Sequence, residues 1–259
     1  MKFNKLALAS LGAASLVFSG AVAAAPLNDF TINPSGFSIL PITPFVADKI
    51  TGNYVEVVTF NANGTFHVSL KWEAGQFVKN DGVDPIAAGV TRLGVDYGLY
   101  ALFNGQGTYT VGPTNNFYLS SGSITVWGDD NVNTTFIAPL TGASPWTRVN
   151  FADDKQLATG AALNGAGNII CTVGNNCGSF GQTTSFSVTS PDGIAFFAAP
   201  FPFYNISFQS GQLNGFTTAG TVTINGSLDV VFQTVPEPTS LALVGLALVG
   251  AGFARRRKA

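Results

Sequence analysis

Tyr54-Val55-Glu56-Val57-Val58-Thr59-Phe60, Asn61-Ala62-Asn63-Gly64 and Thr65-Phe66-His67-Val68-Ser69-Leu70-Lys71-Trp72 form the stretch that decides the fold. The first run is rich in β-branched and aromatic residues, the composition of a strand. The second is a turn, because Asn63-Gly64 tolerates the positive backbone angles that a tight hairpin requires. The third alternates strictly. Phe66, Val68, Leu70 and Trp72 share one face, and Thr65, His67, Ser69 and Lys71 share the other, as in a half-buried strand. Pairing Phe60 with Thr65 places Val58 opposite His67 and Glu56 opposite Ser69. Glu56 is then diagonal to Lys71, within reach of a surface ion pair.

Working outward, the same residue types recur at short spacing. Strands are expected over Tyr97–Phe103, Thr108–Val111, Asn116–Trp127, Thr134–Ile137, Thr183–Thr189, Ile194–Ala198, Phe203–Gln209 and Thr217–Phe232. The last is expected to fold back as a hairpin at Asn225-Gly226. No stretch between them has a three-and-four apolar period with helix caps. Residues 128–168, rich in Asp, Asn, Gly and Pro, read as long loops. No fixed-period repeat suggests a solenoid. The expectation is an all-β chain with one antiparallel β-sandwich or jelly-roll-like domain over residues 24–234.

Composition narrows the function. The chain has 259 residues, of which 46% are hydrophobic and only 10% charged. That is well under the roughly 25% charged residues of an average soluble domain. The charges are also unevenly placed. Lys2, Lys5, Arg255, Arg256, Arg257 and Lys258 hold half of the cations, whereas every acid lies between Asp29 and Glu237. The middle thus carries six cations against fourteen anions, net −8. Nucleic-acid binding needs a basic footprint, and none is present.

Catalytic chemistry has thin support. His67 is the sole histidine, so a Ser-His-Asp triad or a zinc hydrolase site would have to pass through it. It sits on the polar side of a strand and reads as a surface residue. Asp81 and Asp84, Asp129 and Asp130, and Asp153 and Asp154 are local acidic pairs, and a glycosidase would need two such carboxylates facing one cleft. Asp129-Asp130-Asn131-Val132-Asn133 offers oxygen donors of the kind calcium takes. The EF-hand pattern is absent, and solvated turns account for these acids, so no metal or cofactor is expected. Trp146, after Pro145, and Trp127, at a strand end, are the candidate sugar contacts, with packing as the competing role. Cys171 and Cys177 are the only cysteines, and an even pair in an exported chain reads as a disulfide closing a small loop.

Export is written at both ends. Residues 1–23 have the form of a signal peptide: Lys2 and Lys5, an apolar stretch from Leu6 to Phe18, and an Ala21-Val22-Ala23 cleavage site for signal peptidase. A cut after Ala25 would leave Pro26 next to the scissile bond, so cleavage after Ala23 is expected. At residues 235–259, Val235-Pro236-Glu237-Pro238 precedes an apolar run from Leu241 to Ala254, followed by Arg255-Arg256-Arg257-Lys258. As a helix that run spans about 21 Å, short of a roughly 30 Å hydrocarbon core. The basic end stays cytoplasmic by the positive-inside rule, leaving Pro236-Glu237-Pro238 outside.

This ending looks like the PEP-CTERM sorting signal, with Pro-Glu-Pro, short apolar helix and arginine cluster in order. The resemblance implies transient inner-membrane insertion, processing by an exosortase, and delivery to the surface or extracellular matrix of a Gram-negative bacterium. Such systems accompany exopolysaccharide. The domain itself, through Phe45–Tyr54, Gly75–Gly82, Tyr97–Phe103 and Phe203–Phe208, resembles the flocculation-associated PEP-CTERM proteins. That resemblance implies a non-enzymatic protein that promotes cell aggregation, in flocs or biofilm, by association with the exopolysaccharide matrix. The alternatives are a lectin-like module with a defined sugar site and a secreted glycoside hydrolase or lyase.

Overall fold

The computed structural model describes residues 26–38, 41–112, 115–169, 178–201, 203, 205–210 and 220–233. The expected signal peptide, the expected Cys171–Cys177 disulfide and the expected sorting tail lie outside these. In chain order the strands are β1 (Phe30–Ile32), β2 (Phe45–Ala47), β3 (Lys49–Phe60), β4 (Thr65–Lys79), β5 (Asp84–Pro85), β6 (Gly98–Thr110) and β7 (Asn115–Asp129). They continue as β8 (Thr135–Ile137), β9 (Thr147–Val149), β10 (Lys155–Ile169), β11 (Gly178–Thr184), β12 (Phe197–Ala199), β13 (Asn205–Ser210) and β14 (Gly220–Gln233). Two short helices, α1 (Ala88–Thr91) and α2 (Pro191–Phe196), complete the set.

The all-β antiparallel expectation holds, and the pairing order adds closure. Strand β3 pairs β4, then β6, β7, β10, β11, β13 and β14 follow, and β14 pairs back to β3. Each long strand thus pairs with the next in sequence, and the last with the first. The result is an up-and-down ring of eight strands, each flanked by a paired strand on both sides; between β13 and β14 the described pairing runs over Asn205–Gln209 and Asp229–Gln233. Opposite walls pack on one shared core, as the two layers of a sandwich do.

Two aromatic clusters fill the interior. Phe60, Phe66, Tyr109 and Phe117 meet near the β3–β4 turn, with ring centroids 5.0–6.3 Å apart. Phe30, Phe186, Phe197, Phe203 and Phe232 meet in a second cluster, where the sheet β12-β1-β2 packs on the ring. Each fully buried ring contributes about 1.5–3 kcal/mol. Trp72 lies in the core at 2% exposure, and its indole N–H donates to Leu228 O at 3.1 Å.

The first hairpin forms with a corrected register. Phe60 pairs Phe66, Val58 pairs Val68 and Glu56 pairs Leu70. Directly opposed residues point to the same side of a sheet. An inward Phe60 therefore cannot face an outward Thr65. The extra residue goes into the turn, where Gly64 has φ +79°, Asn61 N donates to Thr65 O, and Asn63 Oδ1 accepts from Thr65. Lys71 consequently pairs with Glu73, and Glu56 sits on the opposite face.

Four further expectations are corrected. Strand β14 runs unbroken through Asn225-Gly226, because Val55 and Tyr54 of β3 pair those residues in register. Ile194–Ala198 is mostly helix. Ser190 caps α2 by accepting from Gly193 N, Pro191 takes the first turn and Asp192 follows it, a start signal that the apolar residues mask. Residues 155–169 are a full strand, β10, although rich in Gly and Ala. Close neighbours demand the small residues: a side chain at Gly160 would meet Ser185 O at 1.9 Å. Tyr97–Phe103 and Thr108–Val111 merge into the single strand β6.

Candidate functional site

The outward residues of β4, β6 and β7 form cross-strand rows. His67, Gln106 and Ser121 make one row, and Ser69, Asn104 and Ser123 the next. Lys71, Leu102 and Thr125 follow, then Glu73, Tyr100 and Trp127. Residues 130–154, including the β8–β9 hairpin, leave the ring after β7 and fold back across this face. They cover its far half and Ser69, and leave the β6 and β7 members of its first two rows open.

Trp146 seats that excursion. It is 9% exposed, and its N–H donates to Ser69 O at 3.1 Å. Gly142 N donates to Thr59 Oγ1 at 2.9 Å, and the backbone here passes so near β4 that a side chain at Gly142 would meet His67 O at 2.1 Å. Lys71 Nζ lies 4.8 Å from the Phe136 ring centre and 5.8 Å from that of Trp146. Arg148 stacks its guanidinium 3.7 Å from the Trp127 ring centre and 4.5 Å from that of Phe151. Both tryptophans singled out as sugar contacts therefore serve to hold the excursion against the ring.

The acidic residues assemble beside them. Carboxylate oxygens of Asp129, Asp153 and Asp154 lie within 4.8 Å of one another. Asp129 accepts from the backbone N–H groups of Asn131, Asn133 and Thr134 at 2.9–3.2 Å. Asn131 donates its side-chain amide to Asp153 at 2.7 Å, and Asn133 does so at 3.5 Å. Asp154 accepts from Tyr100, from Thr134 at 2.8 Å and from Arg148 at 3.3 Å. Burial together with the Asp154 bond pushes the Tyr100 phenol well above its ordinary range.

Three carboxylates at this spacing match the oxygen donors calcium takes. Here, however, amide, hydroxyl and guanidinium donors already engage all three. The cluster as arranged is a clamp that joins the end of β7 to the start of β10. Of the four residues read as calcium candidates, Asp129 is in the cluster and Asn131 and Asn133 bind its partner Asp153. Asp130 is outside it, with a buried Oδ1 that has no hydrogen-bond partner. Sequence reading misses Asp153 and Asp154 as partners of Asp129, and misses Tyr100 and Arg148 altogether, because strand pairing alone brings these segments together.

The ring interior is packing. Gln182 and Thr184 of β11 are buried, and Gln182 Nε2 and Thr184 Oγ1 have no partner. Gln182 lines a cavity of about 20 Å³ together with Leu70, Trp72 and Phe103. That is room for about one water, far below the roughly 300 Å³ of a small-molecule pocket.

Glu56 places a carboxyl on the same inner side of the ring. It lies between Leu70 and Ile224 in the register, and desolvation pushes its carboxyl up to about 7.

Among the described residues no helix is long and apolar enough to cross a membrane, and the run 241–254 lies outside them. No curated protein and no solved structure matches the chain, so the likeness to flocculation-associated proteins rests on the quoted residues alone. Residues 234–258 match the PEP-CTERM protein-sorting motif, which indicates an exosortase-sorted surface protein.

Proposed function

We propose that the protein is a non-enzymatic component of the cell surface or extracellular matrix that promotes cell aggregation by associating with exopolysaccharide. The observation that carries this reading is the sorting motif at residues 234–258. Two features of the domain support it. A ring whose strands each have a partner on both sides limits the edge open to other chains outside the cell. A surface poor in charge and rich in amide and hydroxyl groups suits a hydroxyl-rich polymer. A Cys171–Cys177 disulfide belongs to the same proposal, as a brace for the loop between β10 and β11 in an oxidising compartment.

The test is a host strain that lacks the protein and still secretes its polymer. Loss of aggregation, restored when the protein is returned, is the expected result. Unchanged aggregation in that strain overturns the proposal.

A further inference from the structure

We propose that the open part of the β4–β6–β7 outer face is a binding groove for a neutral polysaccharide chain. This deepens the matrix-association reading and rests on it. The groove encloses about 410 Å³ and is lined by His67, Asn104, Gln106, Ser121 and Ser123, with the backbone of Gly105 and Gly122 as its floor and Gly142–Ala143 as one wall.

Three observations point to a ligand of this class. The first is the state of the polar groups. None of the five side chains has a hydrogen-bond or ion-pair partner among the described residues, whereas the next residues along the same face are engaged or covered. Lys71 pairs with Glu73 and Tyr100 with Asp154, and Ser69 is covered by Trp146, which bonds its carbonyl and leaves its hydroxyl buried without a partner. The same excursion that covers those residues stops at Gly142–Ala143 and leaves the five open.

The second is their arrangement. His67, Gln106 and Ser121 lie in one cross-strand row, and Asn104 and Ser123 in the next. Neighbouring strands are about 4.8 Å apart, and the two rows are about 7 Å apart along the strands. Donors and acceptors at these intervals suit the hydroxyls of successive sugar rings on an extended chain. The floor is rigid, because the Phe103 ring presses on Gly105 and Gly122 from inside. A side chain would meet that ring at 2.7 Å at Gly105 and at 2.4 Å at Gly122. The β-bulge between Gln106 and Gly107 ends the regular register at this point.

The third is the chemistry. An imidazole, two carboxamides and two hydroxyls both donate and accept. No Lys, Arg, Asp or Glu lines the groove. A uronate or phosphate polymer would find no Lys or Arg here, whereas a neutral polyol finds both donors and acceptors for its hydroxyls. Hydrogen bonds to water are exchanged for equivalent ones, so each contact adds only about fivefold to affinity. Affinity for one short oligomer is then weak, and many copies along a polymer supply the avidity.

The experiment uses the isotope-labelled protein purified from its host, titrated with a neutral glucan hexamer and, separately, with a polyuronate hexamer. Backbone amide shifts at Gly105 and Gly122 that saturate with the neutral glucan are expected. The double variant Asn104→Ala/Gln106→Ala should weaken binding about thirtyfold and keep the parent circular dichroism. Thr223→Ala, an exposed outward position on β14, should bind as the parent does.

Absence of shifts at both glycines with the neutral glucan, or shifts with the polyuronate alone, overturns the groove proposal. The two readings fail separately. A host carrying the double variant that aggregates normally, beside a deletion strain that does not, overturns the groove and keeps the aggregation role. Saturating glucan shifts together with unchanged aggregation in the deletion strain keep the groove and overturn the aggregation role.

Discussion

Glu56 stands directly opposite Leu70 across the β3–β4 pair, on the inner side of the ring, with Ile224 of β14 on its other flank. Its carboxyl has no partner among the described residues, and desolvation raises its pKa from 4.5 to about 7. A carboxyl whose folded pKa is raised binds its proton more tightly folded than unfolded. The stability linked to it is fully present below pH 4.5 and declines as pH rises through 7. The loss amounts to about 3 kcal/mol, because each tenfold change in proton affinity is worth about 1.4 kcal/mol.

The substitution Glu56→Gln removes this dependence. Urea denaturation should show the variant and parent alike at about pH 4, and the variant more stable by about 1–3 kcal/mol at about pH 8. Equal stability at both values would mean that the carboxyl reaches solvent.

Asp154 offers a second test, of the clamp that holds residues 130–154. Its side chain is fully buried, and Arg148, beside it, is only 18% exposed. Asp154→Ala leaves Arg148, Tyr100 and Thr134 without their shared acceptor, and a cost of about 3–5 kcal/mol is expected from thermal unfolding. Arg148→Lys should cost less but still measurably, because an ammonium keeps the charge and loses the planar stack on Trp127 and Phe151. A neutral result for Asp154→Ala would show that the excursion is held without the Asp154 contacts.

Gly142 is where the excursion presses hardest on the ring. A methyl group there would lie 2.1 Å from His67 O, so Gly142→Ala must lift the loop and break the Gly142 N–Thr59 Oγ1 bond. The expected outcome is a red-shifted tryptophan emission as Trp146 gains water, with a stability loss of about 1–3 kcal/mol. An unchanged emission maximum would contradict the seating of Trp146 against Ser69.

The cysteine loop is checked by alkylation. If Cys171 and Cys177 are joined, neither takes up iodoacetamide before reduction and both do afterwards. Uptake without a reductant would remove the disulfide from the account.

Fold class and the first hairpin are legible because strand alternation is a local signal, and Phe66, Val68, Leu70 and Trp72 carry it without interruption. The register slips by one residue when the turn length is read from Asn63-Gly64 alone, without requiring Phe60 and its partner to share a face. Strand β10 is illegible for a physical reason. Gly160 is small because Ser185, just after β11, and Ile124 of β7 crowd it, and that crowding exists only in the folded ring. Closure of β14 on β3 is likewise a property of two segments far apart in sequence. Of the acidic cluster, the run Asp129–Asn133 is visible, but Asp154 becomes its neighbour only through the pairing of β10 with β7. The groove at His67 is hidden for a related reason. Its character comes from what the excursion leaves uncovered, and no local motif records that.

Export and sorting come first in the account, and the most direct measurement is the intact mass and location of the protein in its host, with the exosortase present and removed. The account predicts loss of the tail near Pro236-Glu237-Pro238 and release from the inner membrane only when the exosortase is present. A full-length tail resident in the inner membrane under both conditions would contradict it.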